Sequence, residues 1–274
     1  MASGRIEVHG CDIAWCAVGR EEEAPVVLVH GARAHRHWWD PAVAAGLADR
    51  RRVVAFDLSG HGDSGRRPDY SAELWAEEAL AVVDECAGGR AALVGHSMGG
   101  LVALVAAALR PDLVSSLILI ETRIMIPDPE SALVPRGTPA KVPRRFPSRE
   151  AAVESVRLFP PQPVVDAAAV RHAAEHSIGP IADEWGWKFD PAVAQRFNDE
   201  LINRYLARVE CPVAMIYGSE SSMVNGSSPL AAEAILGYPV PTTVVDGGHH
   251  HVILDRPAES AGAIAGALLA QGVS

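Results

Sequence analysis

The chain has 274 residues, of which 49% are hydrophobic and 21% charged, and its formal net charge at pH 7 is −10. This length and composition predict one large or two small globular domains and argue against a disordered chain. The acidic excess argues against nucleic acids and anionic membranes as partners, because both favour a basic protein face. The N-terminus lacks the basic start and apolar run of a secretion signal, and no stretch predicts a membrane span. With four scattered cysteines and no C-x-x-C pair, the sequence predicts a cytoplasmic protein.

Short apolar runs recur along the chain, at 25–30, 52–57, 91–94, 117–120, 212–217 and 242–245. Because these runs are continuous rather than alternating, they predict strands buried on both faces, as in a parallel sheet. Helices are predicted at 41–49, 72–86, 98–109, 229–236 and 256–270, with Ser71 as an N-cap, and a hairpin at 6–17. The alternation of strands and helices predicts a doubly wound, mostly parallel α/β sheet.

This alternation stops between residues 122 and 207. Residues 127–163 contain nine prolines and no strand-like run, and residues 164–206 are predicted to be helical, with Pro191 at a helix start. The whole stretch carries 11 Lys and Arg against 11 Asp and Glu, so the net charge of −10 belongs to the rest of the chain. We therefore predict a core domain at 1–121 and 208–274, with an insertion at 122–207 after the sixth strand.

The strongest chemical signal is Gly95-His96-Ser97-Met98-Gly99-Gly100, which follows an apolar strand and opens an apolar helix. This G-x-S-x-G turn lifts a serine hydroxyl out of the sheet and exposes it as a nucleophile. An oxyanion hole needs two backbone N–H groups, and we expect them from Met98, after the serine, and from Ala32, after the strand that ends at His30-Gly31.

A nucleophilic serine needs a base, and in this architecture the histidine follows the serine along the chain. The segment 247–257 contains three consecutive histidines, His249, His250 and His251, after the last predicted strand. Because consecutive side chains point to alternating sides of the chain, these three histidines are poorly placed to coordinate one metal ion together. A second pattern, His172-Ala173-Ala174-Glu175-His176, matches an inverted zinc-peptidase motif but has no evident downstream acidic ligand. We predict no metal site and no organic cofactor.

Taken together, four segments resemble the α/β-hydrolase fold superfamily: His30-Gly31 with Trp38 following, residues 57–64, residues 95–100 and the Gly-Gly-His…Asp-Arg-Pro ending. The likeness covers residues 24–121 and 211–270. It implies that residues 57–64 form a structural turn, and that His250, seven residues before Pro257, is the catalytic base, with His249 as the alternative.

The resemblance also implies a carboxylate that orients the histidine. In the commonest pattern the acid is about the third residue after the strand that ends at Gly218, but that position is Ser221. A minority of the superfamily places the acid one strand earlier, which here is Glu121. Glu121 is therefore the predicted acid, and Glu220 is the alternative.

The resemblance implies that the insertion is a cap over the cleft that shapes selectivity. Six residues are predicted to line the substrate pocket: His30, Trp38, His96, His176, Trp185 and Trp187. Trp185 and Trp187 fit equally the core of a small lid.

The predicted function is hydrolysis of an ester, thioester or lactone of a small, mostly apolar molecule through an acyl-enzyme, by a monomer or homodimer. The alternatives are a ligand-binding member of the fold with little or no turnover, and a carbon–carbon bond hydrolase or perhydrolase, because the fold does not define the reaction.

Overall fold

The structure, a computed structural model, describes residues 1–21, 24–49, 51–126, 144–193 and 198–273. Its main sheet has eight strands in the order β1-β2-β4-β3-β5-β6-β9-β10. The strands are β1 Ala2–Val8, β2 Cys11–Val18, β3 Pro25–Val29, β4 Arg52–Phe56, β5 Ala91–His96, β6 Val114–Ile120, β9 Val213–Gly218 and β10 Thr242–Val245. The pairs β1–β2 and β2–β4 are antiparallel, and the pairs from β4 to β10 are parallel. The predicted mostly parallel sheet and N-terminal hairpin are confirmed.

Helices cover both faces of this sheet, which explains why its strands are continuous apolar runs. Along β3, Val27 and Val29 pack into one buried cluster with the helices at 72–86 and 98–109, whereas Val26 and Leu28 pack into a second cluster with the helices at 252–255 and 257–270. The helices are α1 Asp40–Ala42, α2 Ala72–Cys86, α3 Met98–Leu109, α4 Arg149–Glu154, α5 Ala167–Ser177, α6 Asp199–Leu206, α7 Ser227–Leu236, α8 Val252–Asp255 and α9 Pro257–Ala270.

Helix boundaries follow local signals where those signals are strong. The Ser71 hydroxyl accepts a hydrogen bond from the Leu74 N–H at 3.1 Å, which confirms the predicted N-cap of α2. The stretch predicted as a helix at 41–49 is helical over residues 40–47 but irregular. The single turn α1 is followed by a wide π turn (Val43–Leu47), in which Gly46 has a φ of 106°, and a 3₁₀ turn (Arg36–Trp39) precedes both.

Between β6 and β9 the chain forms α4, α5, a hairpin of β7 (Ile178–Ile181) and β8 (Glu184–Trp187), and α6. The prediction of helix throughout 164–206 is therefore wrong at the hairpin, where aromatic and β-branched side chains suit strands. Pro191 lies in a turn, and α6 begins later, with the Asn198 side chain accepting from the Glu200 N–H at 2.8 Å. Much of the proline-rich stretch, residues 127–143, lies outside the described residues.

The stretch from 122 to 207 meets the main sheet domain through several elements. Helix α6 packs against α3, and α5 packs against the 3₁₀ turn after β3. The exact bounds of the inserted segment stay a prediction. No helix among the described residues is long and apolar enough to cross a membrane.

Candidate active site

Ser97 lies at the tight turn between β5 and α3. Its backbone has a φ of 53° and a ψ of −118°, a strained conformation for a residue with a side chain. A Cβ at Gly99 would collide with the carbonyl oxygens of Val29 and His30, and one at Gly95 would collide with the Gly99 carbonyl. These contacts explain why the turn needs glycine on both sides of the serine.

Three side chains form a hydrogen-bonded chain at this turn. His250 Nε2 lies 3.1 Å from Ser97 Oγ, and His250 Nδ1 lies 3.1 Å from Glu121 Oε2. The His250 side chain is buried and the Glu121 carboxylate is inaccessible to solvent. The structure thus brings together the serine, the histidine and the acid that the sequence singled out, from the ends of β5, β10 and β6.

Hydrogen bonds fix both the backbone and the carboxylate of Glu121. The residue directly follows β6, its φ is 51°, and its N–H donates to the Ile216 carbonyl at 2.8 Å. Its Oε1 accepts from the Gly218 N–H at 2.7 Å, and its Oε2 accepts from the Ser221 hydroxyl at 2.6 Å. These hydrogen bonds satisfy a carboxylate that would otherwise be costly to bury.

The predicted oxyanion donors lie at the point where the strand order reverses. The chain passes from β3 outward to β4 and returns to β5 on the other side of β3, and such crevices bind ligands in open α/β sheets. A Cβ at Gly31 would lie 2.8 Å from His96 Nδ1, so the loop that carries Ala32 passes beside the Ser97 turn. Met98 opens α3, where the first N–H groups have no acceptor within the helix.

The alternative residues point elsewhere. His249 donates its backbone N–H to Asp255 Oδ2 at 3.0 Å, and its ring Nδ1 lies 3.3 Å from the same oxygen. The side chain of Glu220 is exposed, and its oxygen lies 3.5 Å from the hydroxyl of Ser219. Among the described residues, no hydrogen bond or ion pair joins the side chain of either residue to Ser97 or to the His250 ring.

Two of the predicted pocket histidines support the backbone. His30 Nδ1 donates to the Gly31 carbonyl at 2.7 Å, and its Nε2 accepts from the Leu58 N–H at 3.0 Å, so neither nitrogen is free for a substrate. His96 Nε2 donates to the His250 carbonyl at 2.8 Å, which ties the serine turn to the histidine loop. Burial lowers the pKa of His30 to about 4 and that of His96 to about 3, so both rings are neutral near pH 7.

The remaining predicted pocket residues lie in three different surroundings. Trp38 is buried with its ring 5.1 Å from that of His251, directly after His250. His176 is half-buried beside His37, with their rings stacked at 4.1 Å. Trp185 and Trp187 pack on Ala152, Val153, Ala174 and Ile178, a small cluster within the insertion. This packing favours the interpretation that the two tryptophans form the core of a small lid and not the lining of a pocket.

Two contacts of the site were not predicted. Ser221 cannot itself be the acid, but its hydroxyl donates to Glu121, the acid predicted in its place. Gln162 accepts from the His251 N–H at 2.9 Å and donates to both oxygens of Asp255 at 2.9 Å. No local pattern marks either residue, because both contacts join segments far apart in the chain.

A strained serine at a strand–helix turn, with a histidine and a buried carboxylate in line behind it, defines the class of α/β hydrolases. Residues 26–263 match the model of the alpha/beta hydrolase family, and the chain belongs to that family. It is accordingly a hydrolase.

Similar proteins agree with this class. An esterase of Mycobacterium tuberculosis is 29% identical over 240 residues, which are 85% of this chain and 78% of the relative. A 2-(acetamidomethylene)succinate hydrolase of Mesorhizobium japonicum is 30% identical over 244 residues, 86% of this chain and 84% of its own length. The structure of a thioesterase domain from the curacin biosynthetic pathway superposes with a TM-score of 0.80 at 22% identity, covering 97% of this chain and 99% of the domain. The esterase and hydrolase relatives imply a small-molecule substrate.

Proposed function

We propose that the chain is a serine hydrolase that cleaves an ester, thioester or lactone of a small, mostly apolar molecule through an acyl-enzyme. The observation that carries this proposal is the continuous hydrogen-bonded chain from Ser97 through His250 to Glu121. The names of the esterase and thioesterase relatives agree with a carbonyl substrate.

In the first half-reaction, Ser97 Oγ attacks the substrate carbonyl carbon while its proton passes to His250 Nε2. Glu121 accepts the Nδ1–H of His250 and stabilises the imidazolium that forms. The N–H groups of Ala32 and Met98 hold the negative oxygen of the tetrahedral intermediate. His250 then returns the proton to the leaving alcohol or thiol as the bond from the carbonyl carbon breaks, and the acyl group stays on Ser97.

In the second half-reaction, water attacks the acyl carbon and gives a proton to His250. The tetrahedral intermediate collapses, the carboxylic acid leaves, and Ser97 Oγ recovers the proton from Nε2. For a lactone, the first step opens the ring and the leaving alcohol stays attached to the acyl group.

The stretch at 122–207 fits the role of a cap over this centre. Helix α5 and residue Gln162 both lie against the segments that carry the predicted oxyanion donor Ala32 and the base His250. We propose that the cap selects the substrate and that the serine centre supplies the chemistry.

The alternative of a binding protein without turnover depends on the serine at position 221 in place of an acid. The carboxylate of Glu121 beside His250 Nδ1 supports the hydrolase proposal over that alternative.

The test is a comparison of the natural chain with Ser97→Ala on p-nitrophenyl esters, thioesters, lactones and 2-(acetamidomethylene)succinate. We expect kcat/KM on the best substrate to fall by at least about 10³-fold, because the nucleophile is removed. Ser116→Ala, at another buried serine on β6, serves as the control. A fluorophosphonate probe should label the natural chain and the Ser116 variant but not Ser97→Ala. Undiminished turnover by Ser97→Ala would disprove the proposal.

A further inference from the structure

Three histidines outside the Ser97 centre converge where the insertion meets the main sheet domain. His37 comes from the 3₁₀ turn after β3, and His172 and His176 come from α5. The ring centroids of His37 and His176 lie 4.1 Å apart, those of His172 and His176 lie 4.5 Å apart, and those of His37 and His172 lie 6.3 Å apart. Each ring can offer one nitrogen so that the three nitrogens lie within 4.8 Å of one another.

The fold explains the convergence. Residues four apart lie on the same face of a helix, so His172 and His176 project together from α5. The same helix is held against the loop after β3 by His35, whose Nε2 lies 3.0 Å from both the Ala173 carbonyl and the Ser177 hydroxyl. His37 follows His35 by two residues and is thereby placed beside the histidine pair.

A carboxylate supports two of the three rings. Asp40 Oδ2 lies 2.9 Å from His37 Nδ1 and 2.7 Å from His172 Nε2. The same carboxylate oxygen of Asp40 thus contacts one ring from each side of the junction. In metal sites, a carboxylate commonly takes the second N–H of a ligating histidine and orients the ring.

The three rings are half-buried, so an ion can reach them from solvent. Three imidazoles suit Zn²⁺, Ni²⁺ or Cu²⁺ and suit Mg²⁺ and Ca²⁺ poorly. At a Zn–N distance of about 2.1 Å, tetrahedral ligand atoms lie about 3.4 Å apart, so the nitrogens would have to approach one another by up to about 1.4 Å, with water as the fourth ligand.

We propose that His37, His172 and His176 bind one divalent transition-metal ion of the Zn²⁺ type, with Asp40 orienting two of the rings. The ion fastens α5 of the insertion to the loop after β3. That loop also carries Ala32, so metal binding restrains the segment that holds the predicted oxyanion donor. The site differs from the zinc-peptidase pattern considered for residues 172–176, because its third ligand comes from the other side of the junction.

A second group of histidines, His96, His250 and His251, also brings nitrogens within 4.8 Å of one another. Both nitrogens of His250 face Ser97 and Glu121, so this group belongs to the active site. The experiment must therefore separate the two clusters.

The test uses the full chain with ZnCl₂ or NiCl₂, and MgCl₂ as the comparison ion. Titration calorimetry should find one Zn²⁺ per chain, and the midpoint of thermal unfolding should rise with Zn²⁺ concentration but not with Mg²⁺. His172→Ala combined with His176→Ala should abolish both effects, and His37→Ala should weaken Zn²⁺ binding at least about tenfold. Asp40→Asn should weaken it about 10- to 100-fold while keeping the three ligands.

His9→Asn is the matched control, because His9 is an exposed histidine paired with an acid, Glu77, at 2.8 Å on another face. Asparagine suits the positive φ of 48° at that position. Circular dichroism checks that each variant folds. If the double variant unfolds, His176→Ala alone serves in its place, because the His176 ring makes no hydrogen bond to Asp40 among the described contacts. The proposal is overturned if folded His172 and His176 variants bind Zn²⁺ as the natural chain does, or if the natural chain binds none at micromolar concentrations. These readouts do not involve turnover, so they are independent of the proposed hydrolase function.

Discussion

At the scale of single residues, the proposed acid, Glu121, directly follows β6, and a serine, Ser221, lies at the position where the acid is more commonly found. Ser221 donates to the same Oε2 of Glu121 that faces His250 Nδ1. A buried carboxylate needs such donors to stay ionised, and an ionised carboxylate is what stabilises a developing imidazolium. Ser221 therefore contributes a hydrogen bond to the carboxylate, although it carries no charge itself.

We predict that Glu121→Gln lowers kcat about 10²- to 10⁴-fold, because an amide carries no charge to stabilise protonated His250. Ser221→Ala should cause a smaller loss, since the Gly218 N–H still binds the carboxylate. Steady-state kinetics on the best ester measures both effects.

The control for this prediction is Glu220→Gln, at an exposed position in the same loop, which should leave kcat within about twofold. A double variant, Glu121→Ala with Ser221→Asp, should recover part of the activity lost in Glu121→Ala. A larger loss from Glu220→Gln than from Glu121→Gln would show that the acid has been assigned to the wrong residue.

At the scale of elements, the insertion is held to the main sheet domain by polar contacts at several separate points. Lys188 Nζ lies 2.6 Å from Asp63 Oδ1, and the Tyr70 hydroxyl donates to Asp190 at 2.8 Å. Gln162 reaches the segment between β10 and α8 that carries the three histidines. Directional polar contacts define the position of this stretch more narrowly than apolar contacts alone, which supports its proposed role as a cap.

We predict that Gln162→Ala lowers the free energy of unfolding by about 1–3 kcal/mol, because the His251 N–H loses its acceptor and Asp255 keeps only its contacts with His249. Burial raises the pKa of Asp255, and the hydrogen bonds from His249 and Gln162 oppose that shift. Urea denaturation measures the change. Glu154→Ala, at an exposed position on α4, is the control and should change stability by less than about 0.5 kcal/mol. A Gln162 variant as stable as this control would show that the junction does not depend on this residue.

At the scale of the whole molecule, several histidines are buried in neutral form. Burial lowers the pKa to about 4 at His30, to about 3 at His61 and His96, and to about 2 at His251. In the unfolded chain each of these rings has a pKa near 6.5. Below that pH the unfolded state binds more protons than the folded state, so protons favour unfolding.

We predict that stability is greatest above about pH 6.5 and falls steadily from there toward pH 4, by up to about 1.4 kcal/mol per pH unit for each of these rings. Urea denaturation midpoints at pH 7.5, 6.5, 5.5 and 4.5 measure this. His61→Asn, which removes one such ring, should make the pH dependence shallower, whereas His9→Asn should not. A midpoint that stays constant from pH 7.5 to pH 4.5 would contradict the account.

Local patterns predicted much of this protein. The apolar runs became the strands of the main sheet, Ser71 caps α2, and the G-x-S-x-G turn places Ser97 at the edge of the sheet. Each of these features depends on residues within a few positions of one another, so the sequence carries them directly. The sequence did not predict the hairpin of β7 and β8, because this short stretch with two tryptophans and a proline shows neither the 3.6-residue hydrophobic period of a helix nor the two-residue period of a strand.

The selection among candidates depended on long-range contacts. The sequence offered two acids and two histidines for the active site, and only the packing of β6 beside β9 and β10 showed that Glu121 and His250 face each other. The pair His172 and His176 was visible in the sequence as an incomplete motif, and His37 joins it only through the docking of α5. The sequence by itself determined the elements and the nucleophilic turn, because these arise from neighbouring residues. The tertiary structure alone decided which distant side chains meet, because hydrogen bonds and metal sites depend on separations of a few ångströms that no spacing along the chain encodes.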